Sequence, residues 1–299
     1  MKSRRLQMES LESRHLLAGN VNVSIVNGEV RVVGDGGANA VEIVQIQNGF
    51  RVQGRPFNGA FAPDGSPLPG SAPTLINGVD RPTFRVAAQG KLNVNLNAGN
   101  DAVVLLEAGA PFSARRAVIN TGAGIDFVGV ARFAIEESLI IRTGIETEAD
   151  ADVIDLGAEF ASNGSRAADI VIATGGGNDR VQLRGYEVTN TVNINLGGGA
   201  DTLTAGGGFS NANRLVVNAG ASSHRDEINL EAVNLVSLNV SLGGGNDLLF
   251  LVNNVAVQEL ARVNGGAGVD EIRHNRNSIA RQQDTLNIEV GDWPFPPNG

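Results

Sequence analysis

Eight aspartates recur in one setting, each closing a turn and opening an alternating apolar run. They are Asp101 in "LNAGNDAVVL", Asp126 in "NTGAGIDFVGV", Asp152 in "RTGIETEADADVIDL" and Asp179 in "ATGGGNDRVQL". Asp201 in "NLGGGADTLTA", Asp226 in "NAGASSHRDEINL", Asp247 in "LGGGNDLLF" and Asp270 in "NGGAGVDEIRH" complete the set. Carboxylates placed this way can do two kinds of chemistry. With the carbonyls that tight Gly-rich turns expose, they can hold a hard cation; calcium takes roughly six to eight oxygens at about 2.3–2.6 Å. Without any metal, they can accept backbone N–H bonds as Asx-type caps. The residues alone leave both open.

What must position them is a repeat. The markers stand 25, 26, 27, 22, 25, 21 and 23 residues apart, a mean of about 24. A period of that size indicates a solenoid, in which each unit covers the apolar face of the next. The flanks give its type. Seven residues before the marker stand Val94, Ile119, Ile172, Ile194, Val240 and Val263. Two after it stand Val103, Val128, Ile154, Val181, Leu203, Ile228, Leu249 and Ile272. Four after it come Leu105, Val130, Leu156, Leu183, Ala205, Leu230 and Leu251, and then His274 breaks the pattern. Steps of two are strand periodicity with one face inward. A helical repeat would step by three and four and would not tolerate so many glycines.

The expected fold is therefore all-β: a parallel β-helix of about eight coils over residues 91–290, roughly 40 Å long at one strand spacing per coil. The general rule for parallel crossovers makes it right-handed. Asn95, Asn120, Asn195, Ser241 and Asn264, six before the marker, should face outward and stack into a ladder. A column of carboxylates one coil apart repels itself unless a cation, a proton or hydrogen-bond donors intervene.

Residues 21–90 read as an N-terminal cap with a loop. Asn27-Gly28 and Asn48-Gly49 each sit between alternating runs, a type I′ hairpin signal, and Asn39 stands where a marker Asp would be. A cap is needed because an open solenoid end is an exposed sheet edge. "PFNGAFAPDGSPLPGSAP" (56–73) reads as a mobile loop, and the Pro-rich tail at 291–299 can continue neither sheet nor helix.

Two stretches resemble known families. "LESRHLLAG", at Leu11, Glu12, Arg14, Leu16, Leu17, Ala18 and Gly19, resembles the N-terminal motif of exported planctomycete proteins. That resemblance implies a leader over residues 1–20 and a secreted or cell-surface protein. "GGAGVDEIR" (265–273) resembles the calcium-binding RTX nonapeptide at each specified position, and "LGGGNDLLF" at all but the first. This implies calcium as cofactor, held between adjacent turns by main-chain oxygens and by Asp101, Asp126, Asp179, Asp201, Asp247 and Asp270. Asp152 and Asp226, in irregular turns, would be weaker ligands. The chain departs from RTX in having one Gly-rich edge per coil instead of two, which is closer to a three-sided β-helix.

Composition narrows the partners. With 299 residues, a net charge of −9 and no Cys, the chain is no sequence-independent nucleic-acid binder and has no thiol or disulfide chemistry. No apolar run is long enough to span a membrane. An extracellular-matrix or cell-surface component is the partner class expected. An enzyme acting on acidic polysaccharide is the alternative, with its site in the acidic segment 146–155 (Glu146, Glu148, Asp150 and Asp152, near Arg142). No hydrolase, protease or phosphate-binding motif accompanies that segment, and His15, His224 and His274 have no motif partner. A non-enzymatic structural or binding role is the main expectation. In "DLLFLV", Leu248 and Phe250 should lie exposed unless something covers them.

Overall fold

The computed structural model describes residues 19–46, 49–62, 65–70, 73–79, 84–86, 90–107, 111–144, 150–157, 165–206, 210–274 and 279–286. Among these residues every regular element is a strand. His15, Asn48, Glu146, Glu148 and Trp293 lie outside the described residues, as do all of the expected leader but Gly19 and Asn20, and the tail.

Two sheets, of 14 and 11 strands, run the length of a parallel β-solenoid. In the smaller, Ala102–Leu106, Phe127–Val130, Val153–Leu156, Arg180–Arg184, Thr202–Gly206, Glu227–Glu231, Leu248–Val252 and Glu271–His274 lie side by side in chain order. One such strand follows each marker Asp, so seven full turns of chain separate the first from the last. Their register keeps Val103, Val128, Ile154, Val181, Leu203, Ile228, Leu249 and Ile272 in one line. The larger sheet takes the chain before each turn. Its long strands Phe133–Arg142, Asn234–Gly244 and Ala256–Ala267 shift register between Ile135 and Ser138, Leu235 and Leu238, and Val257 and Leu260. A bulge bends a strand. Here the bends give the coil its extra corner, so one sheet covers two sides.

The three apolar columns face inward as their period requires. All belong to one continuous core except His274, which is half-buried. Burying each Val, Leu or Ile stabilises by about 1.5–3 kcal/mol, and aliphatic layers repeated coil on coil need little aromatic bulk. The few core aromatics pair: Phe50 stacks on Phe112 at 5.0 Å, and Tyr186 tilts against Phe133 at 5.9 Å.

The N-terminal end is built from hairpins that join the solenoid as its first coil. Asn20–Val26 pairs antiparallel with Glu29–Val33 around Asn27 and Gly28, both at positive φ as a type I′ turn needs. Glu29–Val33 then runs parallel to Lys91–Asn95, and Ala40–Ile46 parallel to Ala102–Leu106. Within residues 56–73, expected as a mobile loop, the described residues 56–62 and 65–70 fold back as a strap. Leu68 N donates to Ala60 O and Ala62 N to Ser66 O, while Asn100 Nδ2 holds Gly59 O at 2.7 Å. Phe57 is buried against Ala40 and Ala102 on the outer face of the smaller sheet. A cleft of about 400 Å³ remains beside the strap, floored by Ala102, Val104 and Leu106 and walled by Pro56, Pro67 and Pro69.

The apolar pair of "DLLFLV" is covered. Leu248 is buried, and Phe250 is half-buried with the Arg273 guanidinium 5.7 Å from its ring centre. A cation over an aromatic face is attracted by the ring quadrupole while it covers apolar surface.

Candidate functional site

The marker aspartates do stack, but on the inner side of the turns. Asp101, Asp126, Asp152, Asp179, Asp201, Asp226, Asp247 and Asp270 are each no more than 1% exposed. The reason lies in strand parity. The marker is two and four residues before the inward apolar columns, so alternation turns it inward with them. Each carboxylate then meets the backbone of the coil before it. Asp101 N donates to Asp126 Oδ1 at 2.8 Å, Asp126 N to Asp152 Oδ1 at 2.8 Å, and Asp152 N to Asp179 Oδ1 at 2.8 Å. The same bond joins Asp179 N to Asp201, Asp201 N to Asp226 and Asp226 N to Asp247, each at 2.8 Å, and Asp247 N to Asp270 at 2.9 Å. Asn39 N begins the series with a 2.7 Å bond to Asp101 Oδ1. All eight carboxylates therefore belong to one unbroken line.

The bonds place one oxygen of each carboxyl and not the other. The Oδ2 atoms of Asp101, Asp152, Asp179, Asp201 and Asp247 are buried with no hydrogen-bond partner. Near two of them stand buried hydroxyls, Thr143 beside Asp152 and Thr174 beside Asp179, which favour the charged carboxylates. Both hydroxyls already donate elsewhere, Thr143 to Thr174 O and Thr174 to Leu196 O.

Burial dominates the electrostatics. Desolvation pushes Asp101 up to about 8, Asp152 to about 9, Asp226 to about 8 and Asp201 to about 7. The N–H bonds and, for Asp101, Asn39 pull the other way without cancelling it. Burial raises Asp179 and Asp247 less, to about 6, offset by the N–H of Asp152 and the Thr174 hydroxyl at Asp179, and by the N–H of Asp226 and, more weakly, Arg225 at Asp247.

The glycines explain how coils come this close. At Gly197, Gly220 and Gly243 φ is +98°, +132° and +100°, and an added Cβ would lie 1.4–1.6 Å from the carbonyl oxygen of the equivalent residue one coil back. Only Gly fits such a site.

An outer ladder, missed in the sequence, runs beside the inner one. Asn100 Oδ1 accepts from Ile125 N at 3.0 Å, Asn178 Oδ1 from Ala200 N at 2.8 Å and Asn246 Oδ1 from Val269 N at 2.8 Å. The signal was the tripeptide Gly-Asn-Asp, present at 99–101, 177–179 and 245–247. The Asn ladder expected six residues before the marker forms in part, as Asn120 to Asn95 at 3.1 Å and Asn218 to Asn195 at 2.8 Å. Arg142 and Ala173 interrupt it at the intervening coils.

Of the residues suggested for polysaccharide chemistry, Glu146 and Glu148 lie outside the described residues. Asp152 is inside the line, Asp150 is half-buried, and the outward Asp155 pairs with Arg184 at 3.4 Å. Among the described residues no three His, Asp or Glu side chains gather as a metal centre would need, and no helix is long and apolar enough to cross a membrane.

The comparisons with known proteins bear on one end of the chain. Residues 2–21 match the family described as planctomycete extracellular. No curated protein and no solved structure matches the chain. The chain is thus similar over its first residues to exported planctomycete proteins, and the solenoid that follows is defined by its own geometry.

Proposed function

We propose that the protein is a non-enzymatic structural β-solenoid acting outside the cell or at its surface, a stiff spacer or binding rod. The observation that carries this reading is the unbroken inner line from Asn39 to Asp270. Its bonds connect every coil to the next and spend the chain's most distinctive residues on architecture. The match of residues 2–21 supports an extracellular setting. The burial of Asp152 weighs against the enzyme, since a catalytic carboxylate must reach its substrate.

Calcium at the turns is a second reading. It is supported by the partnerless Oδ2 atoms and by Gly carbonyls stacked coil on coil. Asp101, Asp152, Asp179, Asp201 and Asp247 each have only one oxygen left to give, however, while calcium takes roughly six to eight. Fractionation of cells expressing the full chain, together with melting of the purified protein in calcium and in chelator, tests both readings. The rod reading expects protein at the surface or in the medium, no cleavage of acidic polysaccharide, and a melting temperature indifferent to calcium. A rise of several degrees with calcium, abolished in Asp247→Ala and Asp270→Ala, establishes the second reading. Cleavage lost in Asp152→Asn overturns the first.

A further inference from the structure

We propose that the inner Asp line is a proton-binding spine, whose carboxyls are held largely in the neutral acid form and whose ionisation loosens the solenoid. The inference goes beyond the structural role above and stands on three features of the geometry.

The first is donor supply. Each coil offers one backbone N–H per carboxyl, and Oδ1 takes it; at Asp101 the same Oδ1 also accepts from Asn39 Nδ2 at 3.2 Å. An ionised carboxylate accepts only, so the buried Oδ2 atoms of Asp101, Asp152, Asp179, Asp201 and Asp247 would be left without a donor. Protonation removes the buried charge, which is the larger part of that cost.

The second is the surroundings. Of the charges outside the line, Asp35 acts on Asp101 and repels it, and Arg225 acts on Asp247 and favours its charged form. Otherwise the line faces itself: Asp126 and Asp179 flank Asp152, Asp179 acts on Asp201, Asp201 and Asp247 flank Asp226, and Asp270 acts on Asp247. The neutral partners are Asn39, Thr143 and Thr174.

The third is Asn39. It is fully buried at the same position, presents the same backbone N–H to Asp101, and donates its own Nδ2 to Gly37 O at 2.7 Å and to Asp101 Oδ1 at 3.2 Å. A neutral side chain with a donor therefore already occupies this line.

The sign follows from linkage. A carboxyl whose folded pKa lies above its unfolded value of about 3.9 stabilises fully below that value. The contribution fades as pH rises and is gone above the folded pKa. With shifts to about 6 for Asp179 and Asp247, about 7 for Asp201 and about 9 for Asp152, the loss spans the range from pH 4 to pH 9.

The test is thermal unfolding of the full chain in chelator across that range, with Asp201→Asn and Asp226→Asn beside the wild type. Across the range the wild type should melt highest at the acid end, near pH 4, and lower by about 5 °C or more near pH 9. Each Asn variant should match it at the acid end and exceed it by a few degrees at the alkaline end. A wild-type melting temperature that is flat or rises with pH overturns the proposal, as do Asn variants weaker than wild type near pH 9. Should the variants fail to fold, the carboxyl carbonyl stretch in the infrared decides. Protonated Asp persisting near pH 6.5 supports the spine, and complete ionisation there sinks it.

Discussion

The regular turns and the irregular ones differ in length yet deliver their aspartates to the same place. "LGGGAD" reaches Asp201 six residues after Asn195, whereas "AGASSHRD" takes eight residues from Asn218 to Asp226. Before Asp152 the stretch is longer still, ten residues from Arg142, its equivalent in the register. The bonds received by Asp152, Asp201 and Asp226 are nonetheless all 2.8 Å. The turn does not place the carboxyl. The strand after it does, because Ile154, Leu203 and Ile228 are locked into one inward column and alternation carries the Asp with them. What the irregular turn keeps is its first glycine, Gly220, because there the backbones of successive coils touch.

That division of labour predicts its most damaging break at a glycine. In Gly243→Ala the new Cβ would meet Gly220 O at 1.4 Å with φ at +100°, and neither partner is a flexible side chain. Strain at a left-handed position and overpacking each cost about 1–3 kcal/mol, so a loss of about 3 kcal/mol or more is expected in chemical denaturation. Gly220→Ala should cost as much although its turn is irregular. By contrast Gly198→Ala, where an added Cβ meets nothing within 4 Å, should be nearly silent. If Gly220→Ala were as mild as Gly198→Ala, the stacking role assigned to that glycine would be wrong.

The next break separates strand from turn as the source of the Asp position. Asp201→Ala leaves Asp179 N without its acceptor, and Asp226→Ala does the same to Asp201 N. A buried donor left unsatisfied costs about 1–3 kcal/mol. The two variants should lose equal stability, within about 0.5 kcal/mol, despite their different turns. A clearly smaller loss at Asp226 would mean that the regular Gly-rich turn, and not the strand, positions the carboxyl. Measurement near pH 5 keeps ionisation of the neighbours out of the comparison.

Much of this was legible in the sequence. The period, the strand parity and the three apolar columns follow from counting outward from each marker Asp, because a solenoid repeats its contacts at fixed spacing. Asn39 was legible as a neutral marker, and Asn27-Gly28 as a hairpin turn. The side on which the aspartates lie was legible too, since they share the parity of Val103 and Leu105, but the polarity of Asp argues for the surface and hides it. The two-oxygen asymmetry was not legible. It depends on the position of the neighbouring coil's N–H, which no local pattern encodes. Nor was the strap: the Pro and Gly of residues 56–73 announce a loop and say nothing of Phe57 docking on Ala40 and Ala102. For Phe250, the apolar run gave no hint of the guanidinium of Arg273, which comes from the next coil.

The smallest effect belongs to the outer ladder, and it completes the contrast. Asn246 Oδ1 accepts from Val269 N at an exposed corner, where water can replace it. Asn246→Ala should therefore cost only about 0.5–1 kcal/mol, less than the loss of any inner Asp, because the freed N–H is solvated and not orphaned. Its effect should also be the same at acid and alkaline pH, since no ionisable group takes part. The irregular coil of Asp226 already runs this experiment in nature: Arg225 stands where Asn100, Asn178 and Asn246 stand in the regular coils, and the inner bond from Asp201 N is unchanged at 2.8 Å. If Asn246→Ala proved as costly as Asp201→Ala, the two ladders would have to be counted as one structural unit, and the independence of the inner line from the turn chemistry outside it would fail.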